Sequence, residues 1–387
     1  MDSEPSEMFE VAEACVRCRC GCCKDECPMY SEIVEESISP KGRNILIRAI
    51  GKGVVQPDER AVRIAYSCLL CKRDEFSCSA HLKNAEATEA FREYLISKGV
   101  PMLPEHEPLV RSLENYGNPW QESKSARKRW AKGLKVSAAL PGRTEVLFYV
   151  GCTFALDRSL HETPKALARL MDLAGESYGV LLEDELCCGS TAKRIGQRKL
   201  FESLMKENEA RIRRTGAKRV VTACSGCYKT LKQDYPRLDK DVRVVHSTEY
   251  LAELVDSKRI SFSSLPHKVT YHDPCHLGRH AEVYDAPRRL LRAIPDVEIV
   301  EMRNSRERSR CCGGGAGVKT AYPEISQAAA KRRVKEAEQT GAGMLVTACP
   351  FCVQTLRAAA EAAGSKVEVV ELTILLDKLA KRGGAAA

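Results

Sequence analysis

The chain has 387 residues, 44% of them hydrophobic and 29% charged, and carries a net charge of +9. That length can bury two or three cores, and the apolar content excludes a chain that stays disordered. No apolar run approaches the roughly 18 residues of a membrane span, and the opening MDSEPSEMFE is acidic rather than signal-like. A soluble, cytoplasmic protein is expected, with any membrane association supplied by a partner. Nineteen cysteines in a chain that reads as cytoplasmic point to metal ligands or redox centres rather than structural disulfides.

The first cysteine cluster, CVRCRCGCCKDECP, occupies residues 15–28. The ferredoxin run for a cubane iron–sulfur cluster is C-x2-C-x2-C-x3-C-P. Cys20, Cys23, Cys27 and Pro28 keep that register, but its first position falls on Arg17. The alternative keeps Cys15 and Cys18 and lengthens the next gap to reach Cys23, so the set adopted is Cys15, Cys18, Cys23 and Cys27, with Cys20 in reserve. A second group, CLLCKRDEFSC, supplies Cys68, Cys71 and Cys78, with Asp74 at the third position and Ser79 where proline would follow. Aspartate can ligate iron through oxygen or leave one iron position empty, giving a [3Fe-4S] cluster; the plainer alternative is a degenerate site that binds nothing. In two-cluster ferredoxins the fourth cysteine serves the other cluster, so an exchange of Cys27 and Cys78 is the alternative to this assignment.

Helical patterns over 41–49, 59–66 and 84–97 make this first module mainly helical. Pro101, Pro104, Pro108 and Pro119 then mark a connector over roughly 100–143. A basic run at 124–135, with Trp130 inside it, reads as solvated linker, and no nucleic-acid partner is expected.

Beyond the connector the sequence repeats. RVVTACSGCYKTL begins at Arg219 and MLVTACPFCVQTL at Met344, about 125 residues later. The first copy carries Cys152, then Cys187 and Cys188 followed by Gly189, then Cys224 and Cys227. The second carries Cys275, then Cys311 and Cys312 followed by Gly313, then Cys349 and Cys352. The gaps are 34 and 35 residues in one copy and 35 and 36 in the other, a match that chance does not produce. Short β-branched runs at 146–150, 179–182 and 219–222, and again at 268–271, 298–301 and 344–347, alternate with helical patterns at 162–174, 197–214 and 324–340. That alternation predicts an α/β fold with parallel sheets, each cysteine group just past a strand's carboxyl end, where such sheets bind ligands.

Five thiolates converging at one point exceed the four that a cubane cluster or a zinc ion takes, and the adjacent pair suits an opened or edge-bridged cluster. The glycine after each pair lets backbone approach closely. Two further strings carry less. In GGGAG followed by VKT, a valine separates the last glycine, Gly317, from Lys319, which breaks a phosphate-loop register; it reads as flexible backbone around a cluster. HDPCHLGRH puts His272, His276 and His280 near Cys275, where a histidine can donate a proton to a leaving thiolate, although satisfied loop histidines are the plainer reading.

With these motifs the chain resembles the disulfide-reducing, D-type subunit of heterodisulfide reductase, a helical ferredoxin domain followed by two CCG cysteine-rich domains; NYGNPW at 115–120 and VTYHDPCHLGRH also carry the likeness. The resemblance implies Rossmann-like CCG domains at 144–262 and 263–387 behind a ferredoxin-like domain at 1–99 and the 100–143 linker. It further implies a noncubane [4Fe-4S] cluster on Cys152, Cys187, Cys188, Cys224 and Cys227, and another on Cys275, Cys311, Cys312, Cys349 and Cys352, acting together on a disulfide. One or two ferredoxin-type clusters would feed them from a flavoprotein, a ferredoxin-like protein or a membrane cytochrome b. A small thiol or disulfide is the implied substrate and an anaerobic metabolism the implied setting. The other reading is a noncatalytic electron relay, such as the heterodisulfide-reductase-like component of a class II benzoyl-CoA reductase assembly. No flavin or nicotinamide fingerprint is present in the sequence.

Overall fold

The computed structural model describes residues 5–18, 20–238 and 241–383; the acidic opening at 1–4 lies outside them. The first module is helical. Helices Pro5–Arg17, Pro40–Gly51, Glu59–Tyr66 and Asn84–Ser97 enclose an apolar core of Met8, Ala12, Ile47, Ile50, Val62, Ala65, Phe91 and Leu95. Local chemistry sets two of their starts. Ser39 accepts from Gly42 N at 2.9 Å ahead of Pro40, and Asp58 accepts from Ala61 N at 2.8 Å.

The repeats form two parallel sheets of the same topology. Strands β1 (Val146–Phe148), β2 (Tyr178–Val180), β3 (Arg219–Thr222) and β4 (Arg243–His246) lie in the order β2-β1-β3-β4. After β5 (Ile260–Phe262), strands β6 (Lys268–Tyr271), β7 (Glu298–Ile299), β8 (Met344–Thr347) and β9 (Glu368–Glu371) lie in the order β7-β6-β8-β9. The central strands β1, β3, β6 and β8 are buried over all or nearly all of their length, as their apolar, β-branched runs require in a parallel sheet covered on both faces. Finally β10 (Ala380–Arg382) pairs antiparallel with β5, so the end of the second repeat closes on the end of the first.

The two repeats share one apolar core, and Ser225, next to Cys224, donates to the carbonyl of Ala348, next to Cys349, at 2.8 Å. The carboxyl ends of both sheets therefore face each other. No helix among the described residues is long and apolar enough to cross a membrane.

The basic run is packed rather than solvated. It forms 3₁₀ turns at Lys124–Ala131, and Ala126, Arg127 and Trp130 are buried against the first repeat. Trp130 meets Phe148 of β1 edge-on at 5.8 Å between ring centres. Arg127 reaches the buried Glu185 at 3.1 Å. Charge spacing concealed this because the basic residues Lys124, Lys128 and Arg129 surround the Ala126, Arg127 and Trp130 that turn inward.

Candidate redox site

Cys152 follows β1, Cys187 and Cys188 follow β2, and Cys224 and Cys227 follow β3; these are the three adjacent strands of the first sheet. The second set follows β6, β7 and β8 in the same way. All ten cysteines line a single cavity of about 480 Å³. Every one of them is buried except Cys275, which is half-buried, and all are free thiols.

Within each set the sulfurs crowd. Cys152 Sγ and Cys187 Sγ are 3.8 Å apart, and Cys312 Sγ and Cys352 Sγ are 3.3 Å apart. Hydrogen bonds from Cys187 and Cys227 pull the Cys188 thiol down to about 6, and bonds from Cys311 and Cys352 hold Cys312 well below its ordinary value. The second cysteine of each pair is thus held toward its thiolate. Gly189 and Gly313 sit at φ +79° and +84°, and a Cβ on Gly313 would lie 2.4 Å from the Ser326 carbonyl oxygen. Only glycine turns the pair inward at that point.

Glu185 fixes the first set. Its carboxylate accepts from Val150 N and Gly151 N, both at 2.8 Å, directly before Cys152, and it is itself the second residue before Cys187. Nothing in its spacing marked Glu185 for this work. Arg127, half a repeat away in sequence, supplies its counter-charge.

The histidines of HDPCHLGRH do different things. His280 Nε2 bonds the Leu70 carbonyl at 2.8 Å and its ring stacks on His276 at 4.5 Å. His276 lies in the cavity wall with Nδ1 3.4 Å from Cys275 Sγ. His272 is fully buried behind Cys312. Lys319, from the VKT string, also lines the cavity, together with Gly314, Gly315 and Gly317.

In the helical module the cysteines fall into two groups. Burial raises the Cys15 thiol and the neighbouring Cys78 and Cys18 raise it further. Burial, with Asp74, Cys15 and Cys78 nearby, pushes Cys23 up to about 12. Cys20 is exposed, 3.2 Å from Cys18 and 3.5 Å from Ser79 Oγ, so it stands at the rim of this group. The other group is Cys27, Cys68, Cys71 and Asp74. Burial lifts Cys27 to about 11 while the buried Arg43 opposes it, and Cys68 and Asp74 surround the same guanidinium. Cys27 therefore stands with the second motif and Cys78 with the first. Asp74 is buried and accepts from Asn84 Nδ2 at 2.9 Å, and Asn84 in turn accepts from Asn44 at 2.8 Å.

This second group abuts the cavity. Cys71 and Cys311 are neighbours, both packed in a small apolar cluster with Cys27, Met29, Leu69 and Val318. Arg92, fully buried, ties the three parts together: it donates to Ala65 O at 2.9 Å and Cys68 O at 2.6 Å, to Arg194 O of the first repeat, and to Ala316 O of the second at 3.0 Å.

Thiols in such number, buried, unpaired and converging, suit iron–sulfur clusters and exceed what zinc would use. The CCG cysteine-rich domain family matches residues 146–232 and 269–357. The D-type subunit of the dihydromethanophenazine:CoB–CoM heterodisulfide reductase of Methanosarcina barkeri is 31% identical over 94% of this chain and 93% of its own length. Its counterpart in Methanosarcina mazei is 32% identical over 87% of each. The B-type subunit of fumarate reductase (CoM/CoB) from Methanothermobacter marburgensis is 30% identical, covering 92% of this chain and 71% of that protein. Among solved structures, a hypothetical protein from Helicobacter pylori superposes with a TM-score of 0.60 at 10% identity over 90% of this chain and 71% of its own, a likeness of fold alone.

Proposed function

Since the chain belongs to the family of the D-type subunit of heterodisulfide reductase and is an iron–sulfur component of an oxidoreductase, we propose that it exchanges electrons with a disulfide held between two noncubane [4Fe-4S] clusters. One cluster takes Cys152, Cys187, Cys188, Cys224 and Cys227; the other takes Cys275, Cys311, Cys312, Cys349 and Cys352. The observation that carries the reading is the single cavity lined by all ten. When bound, the clusters supply one electron each, which matches the two-electron demand of an S–S bond.

The residues of this chain then have definable work. Phe351, Trp120 and Leu109 in the wall exclude water from the thiol sets. Glu185 and the two glycines hold the pairs inward. His276 gives the wall a polar ring face beside Cys275, and Lys319 a cation. About 480 Å³, shared with both clusters, leaves room for a small disulfide and nothing larger.

The helical module is the electron inlet in this reading. Cys15, Cys18, Cys23 and Cys78 hold one ferredoxin-type cluster, with Cys20 outside it, and Cys27, Cys68, Cys71 and Asp74 hold a second that is either [4Fe-4S] or [3Fe-4S]. The Cys71–Cys311 contact supports entry at the second repeat. The organisation proposed is a ferredoxin-like domain at 1–99, a strap at 100–143 and CCG domains at 144–262 and 263–387. Partner redox proteins, whether flavoprotein, ferredoxin-like or a membrane cytochrome b, supply or accept the electrons, and they alone attach the otherwise cytoplasmic chain to a membrane.

Anaerobic purification followed by iron, zinc and sulfide analysis, and EPR with and without added thiol, tests this. A paramagnetic signal that depends on thiol is the expected result. Iron without a thiol response makes the chain a relay, and zinc without iron overturns the reading.

A further inference from the structure

The two thiol sets are built alike, but their surroundings are not. Tyr149 and His272 hold the same position, each the third residue before the first cysteine of its set. Each also bonds the central neighbouring strand through its backbone, Tyr149 N to Val221 O at 2.9 Å and His272 N to Val346 O at 2.8 Å. Asn208 and Arg333 correspond in the same way on the long helices Arg198–Thr215 and Pro323–Glu338.

In the first repeat these side chains direct their donors at backbone. Tyr149 Oη donates to Leu186 O at 2.6 Å, Asn208 Nδ2 to Cys187 O at 2.8 Å, and Tyr235 Oη to Cys188 O at 2.9 Å. In the second repeat His272 Nδ1 accepts from Arg333 Nε at 3.0 Å. Arg333 is fixed in turn by Asn304 O at 2.8 Å, Glu336 at 2.6 Å and Ser309 Oγ at 3.1 Å.

Arginine is always a donor, so the nitrogen facing it carries a lone pair and the ring proton sits on Nε2. That Nε2 is buried and makes no hydrogen bond in this structure. Sulfur is the neighbour at hand: a ring nitrogen of His272 and the sulfurs of Cys312 and Cys352 all lie within 4.8 Å of one another.

We propose that His272, held in this tautomer by Arg333, donates Nε2–H to the Cys312 sulfur and thereby makes the second cluster the easier of the two to reduce. The inference rests on the cluster reading above. A hydrogen bond to a ligand sulfur stabilises the more negative, reduced state and raises the potential. At the equivalent position of the first repeat, Tyr149 spends its proton on a carbonyl. On stepwise reduction the first electron settles in the second repeat, the one that the helical module touches through Cys71, and the first repeat fills afterwards. His272 is a positioning residue here. Ligation of iron by Nε2 is opposed by the same geometry, since it would move the proton to Nδ1, against the guanidinium.

The test is a potentiometric dithionite titration of the full, cluster-loaded chain, read by EPR and absorbance. Wild-type protein gives two noncubane midpoints. In His272→Leu the higher midpoint falls toward the lower, the lower stays, and iron per chain is unchanged; His272→Gln, which keeps an N–H, restores part of the shift, and Tyr149→Phe moves neither. An unmoved higher midpoint at full iron overturns the proposal, as does loss of one cluster's iron with the fold intact, which would make His272 a ligand. Pulsed EPR of wild-type protein labelled with ¹⁵N-histidine needs no variant: weak coupling through a hydrogen bond is expected, and either directly bonded coupling or none overturns the proposal. A wild-type chain without the two clusters fails the earlier reading instead, before any variant is made.

Discussion

Replacing Glu185 with alanine tests how the first thiol set is held. The carboxylate is 2% exposed and serves three donors: Val150 N, Gly151 N and Arg127. Removing it leaves the Arg127 guanidinium, 1% exposed, as an uncompensated buried charge, which costs about 3–5 kcal/mol. Two orphaned backbone N–H groups cost about 1–3 kcal/mol each where no water replaces the acceptor. These contributions overlap, so about 5 kcal/mol is the expected loss. Urea unfolding of the anaerobic protein, followed by far-UV circular dichroism, reads it as a fall in midpoint at constant slope. The double variant Arg127→Met with Glu185→Gln removes both charges and keeps one acceptor oxygen, so it should recover at least half the loss. Iron should fall in the first set and stay in the second. A Glu185→Ala protein within about 1 kcal/mol of wild type and fully loaded would refute the argument, because nothing else shown accepts those N–H groups.

Four further outcomes follow from the geometry. Arg92→Ala deletes the guanidinium that joins Ala65, Cys68, Arg194 and Ala316; a loss on the order of 4 kcal/mol and new protease cleavage between the helical module and the repeats are expected, and an unchanged digestion pattern would contradict it. Asp74→Cys completes the second ferredoxin motif and should convert any three-iron EPR signal to a four-iron one, while Asp74→Ala lowers iron; identical spectra for all three proteins would remove Asp74 from the site. Gly313→Ala meets the Ser326 carbonyl and needs φ +84°, so it should cost about 2 kcal/mol or more and deplete iron in the second set alone, measured by metal analysis. His246 is fully buried, and burial pushes its pKa from 6.5 down to about 3. The unfolded chain therefore binds a proton that the folded chain refuses between those values, and stability falls as pH drops through that window. His246→Asn should flatten the decline by about 1.4 kcal/mol per pH unit; parallel stability curves for both proteins would mean that another group governs the acid side.

Most of the architecture could be read from the sequence because the thiols repeat. Matched gaps in the two copies announce the duplication, and β-branched runs before each cysteine group announce the parallel sheets. Strands expected at 219–222, 268–271 and 344–347 form at Arg219–Thr222, Lys268–Tyr271 and Met344–Thr347. Strand ends fared less well, since the run 179–182 gives Tyr178–Val180 and then a 3₁₀ turn at Leu182–Asp184. Three things were not legible. Arg127 and Trp130 turn inward in a run whose average is basic. Glu185 looks like any glutamate before a cysteine pair. The Cys71–Cys311 contact joins residues 240 positions apart, and no local pattern encodes such a pairing.

The asymmetry between the repeats explains why the ligands were readable and their environment was not. A thiolate set tolerates little change, because each sulfur must meet the same metal cluster in the same geometry. The groups that hydrogen-bond the set face no such constraint and are free to diverge: tyrosine and asparagine in one repeat stand where histidine and arginine stand in the other. The same divergence recurs at Glu185, whose counterpart two residues before Cys311 is Ser309, a hydroxyl bonded to Asp273 O at 3.3 Å rather than a carboxylate holding backbone N–H groups. There the negative charge has moved onto Asp273 itself, which Arg288 grips with two nitrogens at 2.7 and 3.0 Å. Each repeat therefore sets a buried carboxylate–arginine pair beside its cysteines, Glu185 with Arg127 and Asp273 with Arg288, on different strands' loops. Two identical clusters in two such unlike settings would not share one potential, and a pair of unequal sites is what orders two single-electron deliveries to one disulfide.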